Sequence, residues 1–205
     1  STSASGLKSN NTLFWTDNTK NSLSDEEIEF FNEIIDTSNG YRQKRVSNKN
    51  TFKTVTSFCF SNHEPEKKFI DELIASSDII TSWVKSTSKG FYSIDFSWKK
   101  NPRHGEAIRY EKFNPDFFIK VNNNIIIVEI KGDEEISSPH PENVGKHMAG
   151  VEHVRLINQY LNEERYKFTM LTPKSYNAFF ESIRNNTILK FNSELDVEIE
   201  KIKSN

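Results

Sequence analysis

The chain has 205 residues, with 27 Lys or Arg against 29 Asp or Glu, for a net charge of −2. Hydrophobic residues make up 35% and charged residues 27%. That suits one packed domain, or a domain with an appendage, and excludes a bulk polycation, so a nucleic-acid partner has to be met by local basic patches.

No run of about 18 apolar residues is present, which excludes a membrane-spanning helix. The single cysteine, Cys59, has no internal disulfide partner and points to a reducing compartment, the cytoplasm. The chain begins STSASGLKSN, with neither Met nor a signal-peptide pattern. That start is expected of a piece cut from a longer protein or of a tag scar.

Residues 1–22 are rich in Ser, Asn and Thr and read as loose. A helix is predicted over 22–36, with a start signal at Ser24, acids in its first turn and apolar Ile28, Phe31, Ile34 and Ile35 at helical spacing. Asn39 and Gly40 stop it. Segment 41–53 is basic without acids (Arg42, Lys44, Arg45, Lys49, Lys53), and 54–61 alternates like a strand.

A second helix is predicted over 62–80, with Pro65 in its first turn and Phe69, Ile70, Leu73 and Ile74 inward. A strand follows at 91–98, then a basic loop at 99–112. An extended stretch opening at Pro115 and Asp116 and the strand IIIVEI (125–130) are joined by Asn122, Asn123 and Asn124. Three asparagines tolerate the left-handed backbone that a tight hairpin needs.

Segment 132–143 reads as a loop. Next comes a long helix over 144–164 with Val151, Val154, Ile157 and Leu161 inward. A strand at 166–171 and a helix at 172–186 started by Thr172 and Pro173 complete the pattern. The end, 187–205, reads equally as strand or helix. An antiparallel hairpin followed by a helical crossover to another strand gives a mixed β-sheet flanked by α-helices, an α/β fold.

The hairpin carries the chemistry. Side chains alternate along a strand, so Glu129 and Lys131 share a face with Ile125 and Ile127. Charges on so apolar a strand are costly unless they are used. The turn makes Asp116 a cross-strand neighbour of both. Converging carboxylates repel unless a cation lies between them, and a hard divalent ion with oxygen ligands, Mg²⁺ or Mn²⁺, answers that need. The backbone carbonyl of Ile130 is a further oxygen, and Lys131 would face a water or phosphate at the ion. Glu64 and Glu66, at the start of the 62–80 helix, compete as a third acid. This set suits phosphodiester hydrolysis.

Pro115 and Asp116, then Glu129, Ile130 and Lys131, resemble the PD-(D/E)xK nuclease signature. Across about residues 62–160 the chain is similar to the C-terminal nuclease domain of type III restriction subunits and related superfamily 2 helicases. It has EKKF (66–69), WVK (83–85), NPDF (114–117) and EIKG (129–132) where that family has Glu-x-x-Phe, Trp-x-Lys, Tyr-x-Pro-Asp-Phe and Glu-x-Lys-Gly. Asn114 replaces the family's frequent Tyr.

The resemblance implies a restriction-endonuclease-like fold over 61–205, with 1–60 as an N-terminal appendage. It implies an Mg²⁺-dependent DNA endonuclease in the cytoplasm, of prokaryotic, phage or plasmid origin. The parent protein would be a helicase-coupled restriction-modification or antiviral defence protein. Asp116 and Glu129 would be metal ligands, Lys131 the catalytic lysine and Glu66 the helix acid. Lys85, Lys99, Lys100, Arg103, Arg109 and Lys146 are candidate phosphate contacts.

Plainer readings stand beside these. Asp116, Glu129 and Lys131 also fit a strand-edge salt bridge on a solvated face, although the apolar run argues for a central strand. Glu66 also fits an acid favoured by the helix dipole, and the basic residues fit solvated loops. The five histidines show no metal-ligand spacing. A non-cleaving nucleic-acid-binding or protein-interaction module, or a dimeric structure-specific resolvase, would use the same fold.

Overall fold

The computed structural model of the chain describes residues 43–46, 51–53, 58–61, 63–86, 92–99 and 107–204. The helix expected over 22–36 lies outside them, as do Arg42, Lys49, Lys100 and Arg103. The strands are β1 (Gln43–Arg45), β2 (Phe58–Phe60), β3 (Ser82–Lys85), β4 (Ile94–Trp98), β5 (Arg109–Phe113), β6 (Phe117–Val121), β7 (Asn124–Ile130) and β8 (Tyr166–Leu171). The helices are α1 (Glu64–Ala75), α2 (Glu134–Ser137), α3 (Pro141–Leu161), α4 (Tyr176–Arg184) and α5 (Glu194–Ser204). The fold is a mixed α/β arrangement, a mixed sheet flanked by helices.

The central sheet has four strands in the order β3-β6-β7-β8. β3 and β6 are antiparallel, as are β6 and β7, and β8 joins β7 in parallel. The β6–β7 turn uses Asn122 at φ 53°, the left-handed backbone that asparagine tolerates. α3 is the crossover that a parallel β7–β8 pair requires.

Both faces of β7 are covered, which is why it reads as a continuous apolar run. Ile126, Val128 and Ile130 pack with Phe117, Ile119 and Trp83 against Phe69, Ile70 and Leu73 of α1 and Phe179, Phe180 and Ile183 of α4. Val46, Phe52 and Cys59 share this core. Residues 51–53 run beside β3, where Trp83 N–H donates to Thr51 O at 2.7 Å and Lys53 N–H to Trp83 O at 2.9 Å. On the other face, Ile127, Phe168 and Met170 meet Ile94, Phe96, Trp98 and Phe113 of the β4–β5 hairpin, Val154 of α3, and Leu195 and Ile199 of α5.

Several local expectations change. α3 begins at Pro141, three residues before the expected start, and its buried positions are Asn143, Gly145, His147, Gly150, Val154 and Asn158. Leu161, expected inward, is 42% exposed. The helix lies so close to its neighbours that, Val154 apart, small and polar residues form its inner stripe. A Cβ on Gly145 would come within 2.6 Å of the Ser97 carbonyl, and one on Gly150 within 2.6 Å of the Phe168 ring.

The basic 99–112 loop holds strand β5, which pairs antiparallel with β4. Four of its five residues are exposed, so no apolar alternation marks it. The undecided end is helix α5, started by a reciprocal cap in which Asp196 N–H donates to Ser193 Oγ at 2.9 Å and Ser193 N–H to Asp196 Oδ2 at 3.1 Å. Among the described residues no helix is long and apolar enough to cross a membrane.

Candidate active site

The site lies where β6 begins and β7 ends. Phe117 pairs with Val128, and carrying that register outward sets Asp116 opposite Glu129 and Pro115 opposite Ile130. Lys131 N–H donates to Leu171 O on β8 at 2.9 Å, so the backbone of Ile130 is turned the other way, toward β6. There the ladder stops, because proline has no N–H for the Ile130 carbonyl. The Asp116 side chain takes over the pairing: Ile130 N–H donates to Asp116 Oδ2 at 2.7 Å. The Pro-Asp pair thus ends a ladder and turns one carboxylate toward β7.

Glu129 is 5% exposed. Its Oε1 accepts from Lys131 Nζ at 2.8 Å, while its Oε2 is buried without a hydrogen-bond partner. An unpaired buried carboxylate oxygen is costly. Burial first, then the Glu129 and Glu66 carboxylates, push the Asp116 pKa well above the ordinary aspartate value, although the Ile130 N–H and Lys85 oppose them. Burial works against the Lys131 ammonium, but the Glu129 carboxylate overrides it and holds the lysine pKa above its ordinary value.

Of the two acids at the start of α1, Glu66 is the one turned inward, 2% exposed. Glu64 faces solvent and meets Lys67 at 3.9 Å. Glu66 Oε2 is 3.3 Å from Lys85 Nζ, and its Oε1 is 3.4 Å from His63 Nε2. Lys85 ends β3 opposite Phe117, with Ser86 N–H donating to Asp116 O at 2.8 Å. Lys85 is one of the candidate phosphate contacts, and its ammonium is paired with Glu66 beside Asp116. Its salt bridge to an acid of a helix distant in sequence has no local signal.

Tyr176 is a further residue that the sequence reading does not single out. Its hydroxyl donates to the Pro65 carbonyl at 2.8 Å. Burial and the carboxylates of Asp133, Asp116 and Glu66 push its pKa up. Lys174 N–H donates to Asp133 Oδ1 at 3.1 Å. The start of α4 therefore holds both the loop after β7 and the first turn of α1.

The remaining basic candidates are placed as follows. Lys99 is exposed. Arg109 is exposed with its guanidinium 5.1 Å from the centre of the Trp98 ring, and His140 stands 5.7 Å from the same ring. Lys146 binds Glu142 at 2.7 Å and lies near Phe96. That hydrogen bond first, and Lys131 among the lesser causes, hold the Glu142 carboxyl below its ordinary value, so the start of α3 borders the site. His147 is buried with Nε2 3.1 Å from Asp196 Oδ1. The earlier start of α3 puts it in the second turn, facing α5. It lines a cavity of about 850 Å³ between α3, β8 and α5, which none of Asp116, Glu129 and Lys131 touches.

Asp116, Glu129 and the Ile130 carbonyl form an all-oxygen donor set, which fits a hard divalent cation. Glu66 is turned to Lys85 and His63, and among the described residues no three His, Cys, Asp or Glu side chains form a metal-holding group. No family model, curated protein or solved structure matches the chain.

Proposed function

We propose that the chain is a divalent-metal-dependent phosphodiesterase of the restriction-endonuclease-like fold that hydrolyses DNA. The observation that carries the reading is the buried, unpartnered Glu129 Oε2 in a cluster with Asp116 and beside Lys131. Asp116, Glu129 and the Ile130 carbonyl would hold Mg²⁺ or Mn²⁺, which supplies Lewis-acid stabilisation of a phosphoryl oxygen and an activated water.

Lys131 stays protonated at neutral pH because its pKa is raised. It therefore acts as an electrostatic stabiliser of charge developing on the phosphate, not as a base. Water attacks phosphorus, the ester P–O bond breaks, and the proton that the water gives up ends on the leaving oxygen. Arg109, with Lys99 and Lys146, would contact backbone phosphates on the α3 side of the site.

The resemblance supports a cytoplasmic parent protein in which a helicase or translocase supplies further DNA grip. The test is incubation of end-labelled DNA and RNA duplexes and single strands with Mg²⁺ or Mn²⁺, read on denaturing gels. Metal-dependent DNA cleavage that EDTA stops supports the proposal. A gel shift without cleavage favours a non-cleaving binding module, and cleavage of RNA alone changes the substrate.

A further inference from the structure

The most unusual feature of the site is a second lysine. Lys85 is only 12% exposed and its ammonium is 3.3 Å from Glu66 Oε2. Its Nζ also lies over the Phe117 ring, 5.6 Å from the ring centre, and its backbone ends the strand beside Asp116. The ammonium thus reaches Glu66 from the end of β3, whereas Lys131 reaches Glu129 from the end of β7.

Two-metal phosphodiesterases hold their ions about 3.5–4 Å apart, so the second needs carboxylate oxygens beside the first. Asp116 and Glu66 are the groups here that could provide them, and Lys85 sits on Glu66. Charge leads the same way. Counted in their ordinary ionic forms, three carboxylates (Glu66, Asp116, Glu129) against two ammoniums (Lys85, Lys131) leave one negative charge. One divalent ion overcompensates it, and a second would add repulsion only. Of the other acids around the site, Asp133 and Glu135 accept from the N–H groups of Lys174 and His140, and Glu142 is held by Lys146.

We propose that the Lys85 ammonium, anchored by Glu66, stands where a second metal ion would bind, so that the site takes a single divalent cation. Glu66 is then the anchor of an internal cation and not a metal ligand. This inference rests on the metal-dependent reading above.

The experiment is calorimetric titration of the whole chain with Mn²⁺ in the absence of nucleic acid. Wild type binds one ion per chain. Lys85→Met, which keeps an unbranched stem but removes the charge, binds two. Adding Glu66→Gln to Lys85→Met returns the count to one, and Lys85→Arg keeps one. Two ions in wild type, or one ion in Lys85→Met with a native circular-dichroism melt, overturns the inference while leaving a metal site in place. If Lys85→Met fails to fold, Lys85→Gln replaces it with the same expected count. No binding by wild type overturns this inference together with the metal-dependent reading.

Discussion

Replacing Asp116 by Asn separates the site's chemistry from its stability. Asn is isosteric and its side-chain oxygen still accepts from Ile130 N–H, now 2.7 Å from Asp116 Oδ2. What disappears is a desolvated negative charge facing Glu129 and Glu66. Relief of such strain at a functional site typically yields about 1 kcal/mol, or roughly 3 °C in Tm for a chain of this length.

The gain depends on pH. The folded form holds the Asp116 proton to higher pH than the unfolded chain does, so wild-type stability falls as pH rises between the two pKa values. The difference between the proteins is therefore full above the folded pKa. It vanishes below the ordinary aspartate value, about 3.9, where Asp116 is neutral in both states.

Divalent metal reverses the order. With Mn²⁺ at about 100 times its Kd, wild type gains about 2.7 kcal/mol while Asp116→Asn gains little, which leaves wild type ahead by about 2 kcal/mol. The assay is thermal melting at several pH values, with EDTA and with Mn²⁺. A variant less stable than wild type at neutral pH in EDTA would refute the like-charge argument. An unchanged order in Mn²⁺ would refute the ligand role.

Other expectations concern the scaffold and the DNA face. Asn158, buried in α3, donates to Tyr166 O at 2.8 Å and Glu164 Oε2 at 3.1 Å. It also accepts from Tyr166 N–H at 2.8 Å and Arg165 N–H at 3.1 Å. Asn158→Ala should cost about 3 kcal/mol by urea unfolding, since it strands buried partners. Gly150→Ala should cost about 1–3 kcal/mol in the same assay, because its Cβ meets the Phe168 ring at 2.6 Å. Arg109→Ala should weaken DNA binding for all sequences alike and reduce the salt slope of log K by about 1 in filter-binding titrations.

Much of the site was legible in the hairpin itself. Proline before Asp116, the three asparagines, and two charges on an apolar strand each carry a local physical consequence, and the structure joins Asp116, Glu129 and Lys131. The α/β class was legible for the same reason, since periodicity marks β7, β8, α1 and α4. What was hidden depends on contacts between distant segments. The inner stripe of α3 is, Val154 apart, polar and small because β4 and Phe168 press against it, and β5 is an edge strand with one buried residue. The partnership of Glu66 with Lys85 and the bond of Tyr176 to Pro65 exist only after the sheet has closed. The start of α5 was the exception: Ser193 and Asp196 spell a capping box.

Cleavage of supercoiled plasmid with Mg²⁺ or Mn²⁺ by wild type, Asp116→Ala and Lys131→Ala tests the central claim most directly. The expected result is metal-dependent nicking or linearisation by wild type that both substitutions abolish. Cutting that survives either substitution would mean that Asp116, Glu129 and Lys131 are not the site of a nuclease.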